Sequence, residues 1–315
     1  MSRIHEALKK AEQERGSGQA TDVVAPRQEQ ITRVPERTAN AIVTTAPPVS
    51  EQVPGNGQEA EYLRFDDLRA HCTHPEWHPD PIVNVFSNPT LNSHGAEQFR
   101  TLRSRLYQLR GNGQPLRTLL VTSSVPDEGK TFVVANLAQA IVRQPDRRAL
   151  IIDTDLRCAR MHTVLGAPPA PGLSDYLRGK ANEMAVIQHG QDGNLCFIAG
   201  GNEVTNPSEL LSNGRLKALL ERVTPVFDWV ILDSPPCLPV ADATILAGLC
   251  DGVVLVVRAG ATPSPTVRRA CQEMQGRNVV GVVLNAVEQS HLYGSYYYQT
   301  YEHAYVRGDS SAAQK

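Results

Sequence analysis

Six short apolar runs constrain the fold of this 315-residue chain more than any other feature. Each run is rich in β-branched residues and nearly continuous in its apolarity, and most are separated by segments of helical length. Continuous apolarity is typical of strands buried on both faces, so the pattern predicts an α/β fold with a mostly parallel sheet flanked by helices. The runs are residues 118–123, 149–153, 195–199, 229–233, 252–257 and 279–285. Such sheets bind ligands at the carboxyl ends of their strands, where we expect the functional residues.

The segment after the first run has the order of a phosphate-binding loop. Ser124-Val-Pro-Asp-Glu-Gly-Lys-Thr131 leads into the helical sequence FVVANLAQAIV. Backbone N–H groups at a helix start bind phosphate, the lysine contacts the β and γ oxygens, and the threonine offers a hydroxyl to Mg²⁺. We expect the Asp127 carboxylate to face solvent, because inside the loop it would repel ATP. The predicted ATP contacts are Pro126, Asp127, Glu128, Gly129, Lys130, Thr131 and Phe132, with Asn285, the end of the last run, as a contact for the nucleotide base.

Aspartates stand at the ends of two further runs. Asp153 is the last residue of the second run, and Asp155 lies two residues beyond it. Asp233 is the last residue of the fourth run. Three carboxylates at one edge of a sheet repel each other unless a cation lies between them, and Mg²⁺ prefers oxygen ligands, so one acid can be left over as a base. The alternative is that these aspartates cap the helices that follow them.

These segments together carry a resemblance. The phosphate loop, IIDTDLR (151–157) and ILDSPP (231–236) resemble the bacterial tyrosine kinase (BY-kinase) family in its cytoplasmic form, within the MinD/ParA-like P-loop ATPases. The resemblance extends from about residue 92 to 305 and includes NPSELL (206–211) and Asp242. It implies a catalytic set of Lys130, Asp153, Asp155 and Asp233, in which Thr131, Asp155 and Asp233 hold Mg²⁺ and Asp153 accepts the tyrosine proton. Asp127 departs from the family, which usually has glycine there.

Two other functional classes remain open on the sequence. A MinD/ParA-like ATPase switch would hydrolyse ATP without modifying tyrosines, but such ATPases usually have a signature lysine where this chain has Val125. A catalytically weak scaffold would bind nucleotide only to set its oligomeric state.

The end of the chain is rich in tyrosine. Six of the nine tyrosines lie within thirteen residues and have no helical or strand period, which predicts an exposed, flexible tail. We interpret them as phosphoacceptors for neighbouring subunits; the alternative is an aromatic tail that serves assembly. The predicted phosphoacceptors are Tyr293, Tyr296, Tyr297, Tyr298, Tyr301 and Tyr305.

A predicted helix before the first strand carries Glu97, Arg100 and Arg103 on one arc, beside an apolar stripe of Phe99, Leu102 and Leu106. The charged arc matches the oligomerisation motif of the family, which implies a homo-oligomeric ring. The alternative is a solvated helix face with local ion pairs.

Composition divides the chain further. We expect an amphipathic helix at 1–15, a disordered linker at 16–60, a partly ordered leader at 61–90, the P-loop kinase domain at 91–288 and the tail at 289–315. The leader contains the potential metal ligands His71, Cys72, His74 and His78, for which a metal site is the less favoured interpretation. The six scattered cysteines indicate core positions rather than a disulfide framework.

The charge balance and the lengths of the apolar segments indicate which partners the chain can have. With 31 basic and 33 acidic residues the net charge is −2, which argues against a nucleic-acid partner. No segment has the apolar length of a membrane span or a signal peptide, so we expect a cytoplasmic protein. The resemblance implies a separate membrane protein that controls polysaccharide chain length and activates the kinase. Our own hypothesis is that the N-terminal helix and the flexible linker are the tether that recruits the chain to the inner face of the membrane. The resemblance also implies a role in exopolysaccharide or capsule synthesis and export, and cytosolic proteins are further candidate substrates.

Overall fold

The computed structural model describes residues 63–87, 93–113, 115–190 and 193–288. The predicted N-terminal helix, the linker and the tyrosine cluster lie outside the described residues, and those interpretations stay predictions. No helix among the described residues is long and apolar enough to cross a membrane.

The described residues form one seven-stranded sheet with the order β3-β4-β2-β5-β1-β6-β7. All neighbouring strands are parallel except β3, which pairs antiparallel with β4 at one edge. The six predicted strands are confirmed. The prediction lacked β3, because three residues are too short to show a pattern. The strands are β1 Thr118–Ser123, β2 Ala149–Asp153, β3 Ile187–His189, β4 Leu195–Ile198, β5 Trp229–Asp233, β6 Gly252–Arg258 and β7 Val279–Asn285.

Helices cover both faces of the sheet. Buried side chains form two apolar clusters, and successive residues of the central strands alternate between them, as Leu119 and Leu120 do. This double burial is the reason for the continuous apolar runs. The helices are α1 Phe65–His71, α2 Ser93–Gly111, α3 Lys130–Val142, α4 Met161–Leu165, α5 Leu173–Leu177, α6 Glu183–Val186, α7 Pro207–Leu211, α8 Arg215–Val223, α9 Asp242–Ala247 and α10 Ser264–Glu273.

Residues 63–87 pack onto this core. Phe65 and Leu68 of α1 belong to one apolar cluster, and Trp77 and Phe86 belong to the other. The side chain of Asn136 on α3 fixes the segment further, accepting from the N–H of Val85 and donating to the carbonyl of Val83. The segment predicted as a partly ordered leader therefore contributes to the hydrophobic core over residues 63–87.

Two of the potential metal ligands in this segment, His71 and His74, lie against other protein groups. Nδ1 of His71 lies 2.8 Å from the carbonyl oxygen of Asp67, and the rings of His74 and His189 lie 5.1 Å apart. Within the described ranges, no group of three or more His, Cys, Asp or Glu side chains is arranged to hold a metal ion. The cysteines of the described residues are free thiols.

Candidate nucleotide and phosphoryl-transfer site

The phosphate loop joins β1 to α3 and has a distinctive backbone. Asp127 and Gly129 both have positive φ values, of 61° and 92°. Aspartate is one of the few residues that tolerate the left-handed region, which explains how Asp127 stands where the family usually has glycine. Its side chain is exposed, as the sequence predicted.

The carboxylate of Glu128 is turned into the protein. The residue is 1% exposed. One oxygen, Oε2, accepts the backbone N–H of Val125 at 2.9 Å, and Oε1 accepts the backbone N–H of Arg258 at 3.2 Å and the hydroxyl of Thr262 at 2.5 Å. Both carboxylate oxygens of Glu128 are thus already hydrogen-bonded within the protein. Of this residue, only the backbone N–H can contact ATP.

The end of β7 holds the loop from another side. The side-chain amide of Asn285 donates to the carbonyl of Glu128 at 2.9 Å. A Cβ atom on Gly129 would lie 2.1 Å from Nδ2 of Asn285 and would displace that side chain, and the positive φ at position 129 separately favours glycine. Asn285 contacts the loop rather than open solvent, and its contact with a nucleotide base stays a prediction.

Lys130 and Thr131 begin α3 directly after the loop. Lys130 is largely buried, with 9% of its surface exposed. The hydroxyl of Thr131 donates to Oδ2 of Asp233 at 2.7 Å. The loop and the end of β5 therefore meet, as the sequence analysis expected of residues that follow the carboxyl ends of parallel strands.

Two buried acids face each other across neighbouring strands. Asp153 of β2 pairs in register with Asp233 of β5, and the two are 0% and 2% exposed. Burial raises the pKa of Asp153 well above its usual value, and the charge of Asp233 raises it further. Burial also raises the pKa of Asp233 to about 7, although the hydroxyl of Thr131 and the charge of Lys130 oppose the shift. The strand pairing thus forces two carboxyls into a site where both are hard to ionise.

Asp233 and Thr131 are suited to hold a magnesium ion. Oδ1 of Asp233 is buried and has no hydrogen-bond partner among the described residues, although Oδ2 is bonded to Thr131. A buried carboxylate oxygen without a partner is costly, and a cation would satisfy it. Mg²⁺ needs only one or two protein carboxylates beside waters and phosphate oxygens. The donor set therefore fits Mg²⁺.

Asp155 lies at the lip of the same edge and is half-buried. Its Oδ1 accepts the backbone N–H of Cys158 at 3.0 Å. Asp153 is covered by the same stretch of chain, because its two oxygens accept the N–H groups of Asp155 and Met161, at 3.2 and 3.1 Å. All four predicted catalytic residues accordingly lie at the carboxyl ends of the central strands. Asp153 is covered by residues 155–161, which follow it in the chain.

Sequence reasoning missed an ion pair beside this segment. Nε of Arg157 lies 2.7 Å from Oδ2 of the buried Asp242, and Nη2 donates to Ser208 at 3.0 Å. Burial alone would raise the pKa of Asp242, but the hydrogen bonds from Arg157 and Ser208 outweigh it and lower that pKa. The pair anchors the segment after β2 to α7 and α9. The only local signal was an arginine two residues after Asp155.

The three charged residues of α2 differ in their surroundings. Glu97 and Arg100 form an exposed ion pair of 2.9 Å, whereas Arg103 is half-buried and donates to the carbonyl of Ala140 on α3 at 2.6 Å. The adjoining apolar stripe packs inward, with Phe99 against Phe132. Two of the three side chains are therefore available on the surface, and the third is bound to its own domain.

Comparisons with known proteins bear on this arrangement. No protein-family model matches the chain. It is 39% identical over 171 residues to the tyrosine-protein kinase etk of Escherichia coli K12, covering 54% of this chain but 23% of that protein. It is 32% identical over 209 residues to the tyrosine-protein kinase YwqD of Bacillus subtilis, covering 66% of this chain and 87% of that protein. The chain thus spans about a quarter of the first relative and most of the second.

A solved structure gives the same result. The kinase domain of the E. coli tyrosine kinase ETK is 35% identical, and the match covers 63% of this chain and 80% of that domain with a TM-score of 0.57. The matched fold is the one that carries the phosphate loop and the paired acids. The chain belongs to the family of bacterial tyrosine-protein kinases.

Proposed function

We propose that the chain is an ATP-dependent protein-tyrosine autokinase that phosphorylates the tail tyrosines of neighbouring subunits. The observation that carries the proposal is the junction of Thr131 with Asp233, 2.7 Å apart, beside the largely buried Lys130 and the paired Asp153. Phosphoryl transfer depends mainly on positioning and on charge stabilisation, and this junction brings a phosphate loop and acids to one place.

Each residue has a defined task in the proposed reaction. Loop N–H groups and Lys130 hold the β and γ phosphates, and a tail phenol oxygen attacks the γ phosphorus. The bond from that phosphorus to the β–γ bridging oxygen breaks, ADP leaves with the electron pair, and Asp153 accepts the phenol proton. Mg²⁺, held by Thr131, Asp233 and Asp155, would neutralise charge on the phosphate oxygens.

Burial and the charge of Asp233 raise the pKa of Asp153, which makes its ionised carboxylate a stronger proton acceptor than an ordinary aspartate. Asp153 is fully buried, and Asp155 and Met161 bond to it, so the segment between them must move before a phenol can approach. Motion of this kind commonly accompanies closure around a bound substrate.

Mass measurement of the pure protein tests the kinase proposal. After incubation with Mg·ATP, we expect steps of one phosphate that map to Tyr293, Tyr296, Tyr297, Tyr298, Tyr301 or Tyr305. Free phosphate without modified protein would instead support the MinD/ParA-like ATPase switch, and neither product would support the scaffold.

Assembly through α2 is the second part of the proposal. The exposure of Glu97 and Arg100 supports it, because both side chains can exchange their local ion pair for contacts with a neighbouring subunit at little cost to the stability of their own domain. We expect the double variant Glu97→Ala/Arg100→Ala to sediment as a smaller species and to lose phosphorylation between subunits, with an unchanged unfolding temperature. A wild-type sedimentation profile for the variant would remove α2 from the interface.

The cellular role follows from the family and is proposed with it. A membrane protein that controls polysaccharide chain length would recruit and activate the kinase through residues 1–15, and phosphorylation would regulate exopolysaccharide or capsule synthesis and export. Deleting residues 1–15 should abolish recruitment to the membrane; unchanged recruitment would exclude the tether.

A further inference from the structure

The side chain of Glu128 connects three parts of the fold that are distant in sequence. It lies in the phosphate loop, but it accepts hydrogen bonds from Val125 in the same loop, from Arg258 at the end of β6 and from Thr262 in the connection to α10. The carbonyl of the same residue accepts from Asn285 at the end of β7. We propose that Glu128 is a positioning residue: its carboxylate fixes the shape of the phosphate loop and ties it to the connection between β6 and α10.

Buried charge explains why this arrangement matters. A buried carboxylate is tolerated only when donors compensate it, and Glu128 has three at 2.5 to 3.2 Å. Two of these are backbone N–H groups, one on each carboxylate oxygen, and they cannot rotate to become acceptors. The loop shape that presents N–H groups to phosphate is therefore set before any nucleotide arrives.

A glutamine at position 128 would break this compensation in either orientation. Its NH₂ group would face the N–H of Arg258 or, after a flip, the N–H of Val125, so one partly buried N–H always loses its acceptor. Electrostatics alone makes the opposite prediction, because removing a negative charge from the loop should strengthen the binding of an anion. The direction of the change in affinity separates the two explanations.

The inference rests on the proposed function only in requiring a nucleotide at this loop, and ADP binding tests it without tyrosine transfer. We expect Glu128→Gln to raise the Kd of Mg·ADP about tenfold in calorimetric titration of the full chain, well below its unfolding temperature. Thr262→Val removes one donor and should raise the Kd by about threefold to tenfold, while Thr262→Ser, which keeps the hydroxyl, should restore wild-type affinity.

Thr266→Val is the matched control. Thr266 lies on α10, four residues after Thr262, and its hydroxyl makes no hydrogen bond within the described part of the chain. The same chemical change there should leave the Kd unchanged. Thermal unfolding without nucleotide is measured for every variant, because a merely structural role would lower the unfolding temperature but leave the Kd of the folded protein unaltered.

The outcomes separate this inference from the kinase proposal. Glu128→Gln and Thr262→Val with wild-type or tighter ADP affinity would overturn the positioning role and leave the kinase function intact. ADP binding that weakens in the expected series, in a protein that never forms phosphotyrosine, would support the positioning role and exclude the kinase. A wild-type chain that does not bind ADP would overturn both.

Discussion

The phosphate loop and the paired acids both lie at the carboxyl ends of the central strands. Hydrogen-bond donors compensate the buried carboxylate of Glu128 in the loop, whereas the carboxylate of Asp233 lacks such compensation. Glu128 in the loop has three hydrogen-bond donors, which together reach both of its carboxylate oxygens. Asp233 has a single side-chain donor, Thr131, its Oδ1 has no partner among the described residues, and its pKa is raised to about 7. The carboxylate of Glu128 is thus compensated without a ligand, whereas that of Asp233 needs a cation or a proton.

This difference indicates how the site divides its work. Preformed N–H groups lose little entropy and reorganise little when phosphate binds, which is the main source of electrostatic catalysis. Ionisation of the acids is opposed first by burial and then by neighbouring carboxylates, and positive charge that enters the site favours their ionised forms. Magnesium and nucleotide should therefore bind together, with the loop supplying geometry and the acids supplying charge.

The largest expected effect comes from removing the positive charge between the two regions. Lys130→Ala should abolish tyrosine phosphorylation, lowering it at least about 100-fold, because it deletes the group that binds the β and γ phosphates and leaves Asp233 without its nearby cation. Phosphotyrosine is measured by mass, and folding by thermal unfolding. Lys217→Ala, at an exposed lysine of α8, is the control and should behave as wild type. Undiminished phosphotyrosine in Lys130→Ala would refute the site.

The next effect concerns magnesium alone. Asp233→Asn keeps an oxygen that can accept from Thr131 but removes the charge that attracts the ion. We expect a rise of about tenfold or more in the Mg²⁺ concentration needed for ADP binding, with binding restored in part at high Mg²⁺. Titration with Mg²⁺ at fixed ADP measures this directly. An unchanged requirement would place the ion elsewhere.

A smaller effect concerns stability and pH in the absence of Mg²⁺. The folded pKa of Asp233, about 7, lies above the unfolded value near 3.9, so the folded state binds more protons between these values. The free energy of unfolding should therefore increase as the pH falls from about 8 to 5, by roughly 1 to 3 kcal/mol or several degrees of unfolding temperature. Thermal unfolding with a chelator at each pH measures the change.

Asp233→Asn provides the control for that measurement, because it removes the titrating group and should flatten the wild-type trend between about pH 7 and pH 5. Other groups titrate in the same range, so the difference between the two proteins, rather than either curve, reports Asp233. Parallel curves for the two proteins would show that the carboxyl of Asp233 ionises normally.

The comparison also shows what sequence could predict. The strands and the loop were predictable because their signals are local. A strand shows as a continuous apolar run, and the loop shows as Gly129-Lys130-Thr131 between such a run and a helical sequence. The meeting of Thr131 with Asp233 followed from parallel strand ends. The bond from Thr262 to Glu128 joins residues 134 positions apart, and nothing near either residue indicates the other. The ion pair of Arg157 with Asp242 was missed for the same reason.

The smallest effect is expected at Asp127, the exposed acid of the same loop. Asp127→Gly relieves a left-handed conformation, worth about 1 kcal/mol, but increases the freedom of the unfolded chain by a similar amount, so stability should change by less than about 0.5 kcal/mol. The lost charge is solvent-exposed and screened, so the Kd of ADP should fall no more than about threefold. Calorimetry and thermal unfolding measure both. A Kd lowered tenfold or more would mean that the Asp127 carboxylate faces the phosphates, and the contrast between a compensated Glu128 and an uncompensated Asp233 would no longer describe the charges of the site.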